Sequence, residues 1–282
     1  LITLFSYSRI RKTSLESLYA ERSSMATLTA QVLSEKFNRL HDLGVSFATR
    51  PVLCKYADEG NWEAAIQVMK RVPADFPFIN RSFITDTLGI LMADMPHIPD
   101  NRGKSFAHRD FFKGVKKTNE PYLSEVYRRD AAPQLIVTAL ASPIKNSNGI
   151  TIGYLVLQIT VEKLLDWSKE ISIGQSGYVY VVDQNGHIAA SPKYNDTIID
   201  YSVVPAVQKS LKGEEKVEVL YNPMEKENRL TAYAPIPDFG WAVLVQQEEG
   251  AAMAEMKGLN SILIIYSIAV LLAVLFAVII IR

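Results

Sequence analysis

Arg109-Asp110-Phe111-Phe112 is the stretch whose residue types suit molecular recognition. A guanidinium presents a rigid fork of donors and binds a carboxylate through two parallel charge-assisted hydrogen bonds, each stronger than a neutral one. Aromatic neighbours would wall such a site, exclude water and strengthen the attraction. The same residues have a plainer reading, in which Arg109 and Asp110 tie a loop down through a surface ion pair and Phe111 and Phe112 fill a core. The residues alone leave both readings open. Catalytic chemistry finds no comparable stretch. The four histidines, His41, His97, His108 and His187, lack metal-ligand spacing. Asp94, His97, Asp100 and His108 share one loop, but Asp and His are ordinary loop residues, so no metal is expected. There is no Gly-x-Ser-x-Gly elbow, Walker loop or dinucleotide fingerprint. Neither catalysis nor a cofactor is expected within this stretch.

The elements that must position these residues follow from periodicity. From Leu15 to about Arg50, apolar residues step by three and four (Leu33, Phe37, Leu40, Gly44, Phe47), which predicts one long helix interrupted upstream by Arg22. Pro51 marks its end, because the residue before proline avoids helical geometry. Asn61 caps a second predicted helix from Trp62 to Val72. Phe78 to Asp86 and Ile90 to Ala93 then read as two strands around a tight turn with Gly89 at its tip. The same grammar returns: Gly177 to Asp183, a turn at Gly186, and His187 to Ala190. Asp86 and Gly89 map on to Asp183 and Gly186 at one common offset. Thr138-Ala139-Leu140-Ala141 is echoed by Thr231-Ala232-Tyr233-Ala234, and Gly153-Tyr154-Leu155-Val156-Leu157 by Gly240-Trp241-Ala242-Val243-Leu244. Four elements in the same order predict a tandem repeat of small antiparallel sheets with helical cover, an α+β architecture. Asp at the two hairpin turns is turn chemistry first. The first copy carries a longer insert, Asp94 to Asp130, and such loops on a sheet are where binding usually sits. The insert of the second copy, Tyr194 to Glu215, reads mostly as one helix near Val203 to Leu211.

Ile262 to Ile281 is apolar, free of charge, Gly and Pro, and long enough as a helix to cross the ~30 Å hydrocarbon layer. A transmembrane helix is expected there. Leu1-Ile2-Thr3-Leu4-Phe5 reads as the tail of an earlier apolar segment. Two spans would bracket residues 8–260 and place them outside the cytoplasm, although Arg9, Arg11 and Lys12 then lie on the less usual side of the first. Lys plus Arg (30) balance Asp plus Glu (30), and no basic stripe with interleaved aromatics appears, which argues against nucleic acid as partner. Cys54 is the one cysteine, so no intramolecular disulfide can staple the fold.

In this order the features resemble the double Cache (tandem PAS-like) sensor ectodomains of bacterial and archaeal receptors. The resemblance rests on the long first helix, Ile84-Thr85-Asp86-Thr87-Leu88-Gly89, Arg109-Asp110-Phe111-Phe112, and the strand Gly153 to Ile159 running into Val161-Glu162-Lys163-Leu164. In the second half it rests on Ile173-Gly174-Gln175-Ser176-Gly177-Tyr178 through Asp183, Gly186 and Pro192. It implies a stalk helix at 8–50, a membrane-distal module at 51–168, a membrane-proximal module at 169–250 and a juxtamembrane segment at 251–261, with spans at 1–7 and 262–281. It also implies a ligand pocket in the distal module. Amino-acid-binding members carry a Tyr, then Arg-any-Trp-aromatic, a later aromatic, and an Asp on the closing strand. Arg109, Phe111 and Phe112 match the central part, with Phe111 in place of Trp, and Tyr127 is the later aromatic, with Tyr122 a neighbouring candidate. Lys104 replaces the leading Tyr and Gln158 the amine-binding Asp. A ligand ammonium needs an anion, and a hydrogen bond to a charged group is worth ~1.5–3 kcal/mol, so Gln158 disfavours simple α-amino acids. Lys104 with Arg109 favours a small mono- or dicarboxylate. The expected function is ligand sensing across a membrane by a homodimer, with kinase, chemotaxis or cyclic-dinucleotide output further along the chain. The alternative is a structural or interaction ectodomain with no ligand.

Overall fold

The computed structural model of the chain describes residues 2–168, 176–194, 197–254 and 268. One helix, α1 (Ile2–Ala48), forms the spine. It is followed by α2 (Pro51–Asp58), α3 (Trp62–Gln67) and α4 (Val72–Asp75). The first sheet module contains β1 (Arg81–Thr85), β2 (Leu91–Met95), α5 (Asp110–Thr118), β3 (Tyr122–Leu123), β4 (Tyr127–Arg128), β5 (Ile136–Lys145) and β6 (Thr151–Thr160). After α6 (Val161–Ser168), the second contains β7 (Tyr178–Val182), β8 (Ile188–Ala190), α7 (Pro205–Leu211), β9 (Lys216–Asn222), β10 (Glu227–Ile236) and β11 (Trp241–Glu248). Both sheets are antiparallel, ordered β2-β1-β6-β5-β3 (with β4 also on β5) and β8-β7-β11-β10-β9. The expected α+β architecture of a long helix and two tandem modules is the one observed.

The duplication reaches individual hydrogen bonds. Asp86 Oδ1 accepts from the amides of Leu88 (2.9 Å) and Ile90 (2.8 Å). Asp183 Oδ1 accepts from those of Asn185 and His187, both at 2.9 Å. Gly89 and Gly186 each sit at φ +84°, where a side chain is strained, and each carbonyl accepts from the covering loop, from Phe106 and Tyr201 respectively. The turn reading of these two aspartates therefore holds.

Alternation along the strands gives each sheet two apolar faces. On β6, Leu155, Leu157 and Ile159 face α1, while Tyr154 and Val156 face the cover made by α5. On β7, Val179 and Val181 face α1, while Tyr178, Tyr180 and Val182 face α7. The spine meets both sheets along Ala26, Ala30, Leu33, Phe37, Leu40 and Phe47, each at most 2% exposed. Each large side chain so buried contributes roughly 1.5–3 kcal/mol. Phe37 packs edge-on against Phe239 (5.2 Å) and Trp241 (5.1 Å). Gly44 lets the helix approach β5 closely: a Cβ there would lie 2.6 Å from Leu140 Cδ2 and Ser142 Oγ. Arg22, which interrupts the stripe, is 4% exposed and donates to Gln247 Oε1 on β11 at 3.1 Å.

Three expectations are revised in detail. Pro51 ends the long helix but also opens α2, because a proline at the first turn lacks only an amide that has no helical acceptor. The helix predicted from Trp62 to Val72 breaks into α3 and α4, with Asn61 capping it as expected through Ala64 N at 3.2 Å. The insert of the first copy holds α5, β3 and β4 rather than irregular loop alone. Apart from Ile268, the predicted span at 262–281 lies outside the described residues. Among the described residues no helix is long and apolar enough to cross a membrane.

Candidate functional site

The first module's covered sheet face is apolar at one end and charged at the other. Arg109 stands there as the N-cap residue of α5, in extended conformation (φ −73°, ψ 145°). Its guanidinium lies 4.7 Å from the Tyr127 ring centroid and pairs with Asp130, Nη2 to Oδ1 at 2.7 Å. The arginine side chain is 15% exposed and that of Asp130 58%. Arg109 Nε is buried with no hydrogen-bond partner among the described residues. Phe111, two residues on, closes the wall in a cluster of rings: Phe83 at 5.8 Å, Tyr127 at 6.0 Å and Phe106 at 6.3 Å. Tyr127 is buried, and burial pushes its phenol up to about 12 despite the neighbouring guanidinia. Its hydroxyl accepts from Gln158 Nε2 at 2.7 Å. Gln158 is 1% exposed, and its Oε1 has no partner among the described residues.

Arg109, Phe111, Tyr127 and Gln158 are thus brought together. Phe112 belongs to the same core but faces away, edge-on to Tyr154 at 5.4 Å, as successive helical residues must. Lys104 is not part of the group; it is exposed and its ammonium reaches Asn101 Oδ1 at 3.3 Å. Tyr122 also lies apart, its ring against Gly114, where a Cβ would come within 2.2 Å, and its hydroxyl 3.4 Å from Asp110. The loop-anchoring role falls to Asp110. Its Oδ2 accepts from Glu125 N (2.9 Å) and from Gln184 Nε2 of the second module (3.1 Å).

A second guanidinium completes the charged end. Arg81 on β1 lies directly across from Gln158 in the β1–β6 register. It is 1% exposed and donates to Asp94 at 2.7 Å. Burial pushes the Asp94 carboxyl up, but bonds from His97, Ile98 N, Arg81 and Arg102 outweigh it and hold the group below its ordinary value. Asp94 therefore serves as a counter-ion to arginines. Sequence reading passed over Arg81, although a charge alternating with Phe83 on a strand's core side was a usable signal. Two clefts, of about 220 and 260 Å³, open elsewhere: one beside Cys54 and Thr49 at the C-terminal end of α1, one beside Tyr122 and Phe239. At the Arg109 site, Asp130 holds the guanidinium.

A third group of chemically capable side chains lies between the modules. Among the described residues, Glu125, Asp183 and His187 bring one ligand atom each to within 4.8 Å of one another. Both Asp183 oxygens already accept amide protons, Oδ1 from Asn185 and His187 and Oδ2 from Val126 at 3.0 Å, so the cluster is a joint between modules.

The family profile described as a Cache domain (dCache_1) matches residues 6–256, and the chain belongs to that family of double Cache sensor domains. A probable methyl-accepting chemotaxis protein of Bacillus thuringiensis is 24% identical over 151 residues, 52% of this chain and 21% of that protein. Methyl-accepting chemotaxis protein McpA of Bacillus subtilis is 24% identical over 98 residues, 34% of this chain and 14% of that protein. These matches span about a fifth or less of the curated relatives' length. The fold is shared with the ligand-binding domain of the Pseudomonas fluorescens chemoreceptor CtaA in complex with L-isoleucine (TM-score 0.66, 17% identity, 87% of this chain and 98% of that one). It is also shared with that of the Pseudomonas aeruginosa amino acid chemoreceptor PctB in complex with L-Arg (TM-score 0.65, 16% identity, 84% and 97%).

Proposed function

We propose that the chain is the extracytoplasmic sensing region of a membrane-anchored receptor, whose first, membrane-distal module binds a small carboxylate-bearing molecule on Arg109. The observation that carries this reading is the Arg109–Asp130 pair. The guanidinium is shielded, backed by an aromatic face and already grips a carboxylate. That carboxylate belongs to a side chain more than half exposed, and a ligand can displace it. Arg109 Nε and Gln158 Oε1 offer a further donor and acceptor. Arg81 is matched by Asp94, so the positive charge available to a ligand is that of Arg109 together with that of buried Arg129, which donates to the uncharged oxygens of Asn80 and Pro133.

Titration of the purified chain with acetate, succinate and a panel of L-amino acids tests the reading. An organic acid should bind, Arg109→Ala should weaken it at least tenfold, as loss of a charge-assisted pair of ~1.5–3 kcal/mol requires, and Asp130→Asn should tighten it. A second reading, an α-amino acid, is favoured by Asp130 itself, which would supply next to Arg109 the anion that Gln158 does not. Tight binding of amino acids with organic acids inert selects it. No stabilisation by either class selects a structural ectodomain. Ligand capture would be reported through Asp110, which adjoins Arg109 in sequence and holds Gln184 of the second module. A homodimer with helices α1 side by side would carry the shift towards the membrane; helix-shift switches need only ~1–2 Å. The output domain would lie further along the full receptor.

A further inference from the structure

Under α7, on the covered face of the second sheet, lies a polar nest that the reading above leaves unused. Its centre is Glu225, in the turn between β9 and β10, with a side chain only 9% exposed. Four side chains converge on its carboxylate. The hydroxyls of Tyr178 and Tyr201 donate to Oε1, and Arg229 Nη2 donates to Oε2 at 2.7 Å. Lys193 Nζ bridges both oxygens, at 3.0 and 2.8 Å, and stands 4.4 Å from the Tyr178 ring centroid. Tyr178, Tyr180 and Tyr201 form a chain of rings with centroids 5.9 and 5.5 Å apart. The nest therefore holds an ammonium on a buried carboxylate against an aromatic face, the arrangement that favours organic cations.

Three of the four donors are built into the fold. The fourth, Lys193, has a side chain 40% exposed. If it swings out, Glu225 keeps two hydroxyls and Arg229, whose Nη2 is shared with Glu227, so the seat persists. Burial alone would raise the Glu225 carboxyl, but the bonds from Lys193 and Tyr178 and the charge of Arg229 outweigh it and keep the group ionised. Two further polar atoms belong to the nest without a partner among the described residues: the hydroxyl of Tyr180, 0% exposed, and Nε of Arg229, a residue 6% exposed. Such atoms cost free energy until something bonds them. An arginine Nε only donates and a tyrosine hydroxyl can donate, so one acceptor oxygen suits both.

We propose that this nest is a second ligand site, for a small primary ammonium compound carrying a hydroxyl or carbonyl oxygen, with Lys193 as its displaceable internal occupant. The incoming ammonium takes the place of the Lys193 Nζ on Glu225 and against Tyr178. Its oxygen meets Arg229 Nε and the Tyr180 hydroxyl. The occupant would touch β10 and, through Gln246 and Tyr178, β11.

Calorimetric titration of the full chain with ethanolamine tests this, with n-propylammonium as the analogue lacking oxygen. A competitor inside the protein lowers apparent affinity by the fraction of time it is seated. Lys193→Met should therefore bind ethanolamine about tenfold more tightly than the parent does. Tyr180→Phe should narrow the preference for ethanolamine over n-propylammonium. Arg109→Ala should leave ethanolamine binding unchanged, which keeps this site distinct from the one in the first module whatever the outcome there. Equal affinity of parent and Lys193→Met, no binding to either, or loss of ethanolamine binding in Arg109→Ala overturns the proposal.

Discussion

Arg109 and Arg81 show how differently two arginines on one sheet face can be used. Arg109 pairs with a carboxylate that is open to water, whereas Arg81 pairs with one that is fully enclosed. Removing one partner of a buried pair leaves the other charge uncompensated, so Asp94→Asn should cost about 3–5 kcal/mol in urea unfolding. A pH effect follows in sign. The folded-state carboxyl of Asp94 lies below its ordinary value, so its stabilisation is fully present above that ordinary value and is lost as pH falls through the lowered one. Asp94→Asn should therefore flatten the loss of stability in that acid window. At this scale, the sequence offered Arg109 both as a ligand fork and as a loop-anchoring ion pair with Asp110, and the carboxylate it meets in the fold is that of Asp130. Lys104 and Tyr122 did not join Arg109, because which loop residue reaches a given sheet face depends on the path of the insert.

Helix α1 has an inner face on the two sheets and an outer face open to solvent. The inner one follows a stripe legible from periodicity alone, down to Gly44 against β5. The outer one exposes Leu28 (59%) and Val32 (42%), one helical turn apart. If two copies pair along this helix, Leu28→Asp with Val32→Asp should shift the chain towards monomer in sedimentation equilibrium while leaving its melting temperature within a few degrees, since surface changes usually stay within ±0.5 kcal/mol. An undiminished dimer would place the contact elsewhere. The duplicated hairpins were equally legible, because Asp and Gly at the turn answer to local geometry. The break between α3 and α4 was not, because Pro73, which stands in the first turn of α4, suits the start of a helix as well as the end of one.

At the scale of the whole molecule, the modules meet through a small set of bonds. Gln184 Nε2 reaches Asp110, Asn185 Nδ2 reaches Glu125 Oε2 at 2.6 Å, and Val126 N reaches Asp183. Packing of Asp110 and Asp183 near Glu125 adds to burial in raising its carboxyl above the ordinary value. Asp110 adjoins the candidate ligand-binding arginine, so Gln184→Ala should leave ligand affinity near that of the parent while weakening signal output from the full receptor. Equal losses in both would assign Gln184 to folding instead.

Local rules were enough to settle, from residues alone, the long helix, the repeated turns, the strand alternation and the chemical type of Arg109, because each depends on neighbours within a few positions. Folding in three dimensions settled the rest: that Asp130 occupies Arg109, that Arg81 stands across from Gln158, and that Lys193 fills a seat on Glu225. Those pairs join residues far apart in the chain or in separate elements, and only the closure of strands and cover could bring their charges within hydrogen-bonding distance.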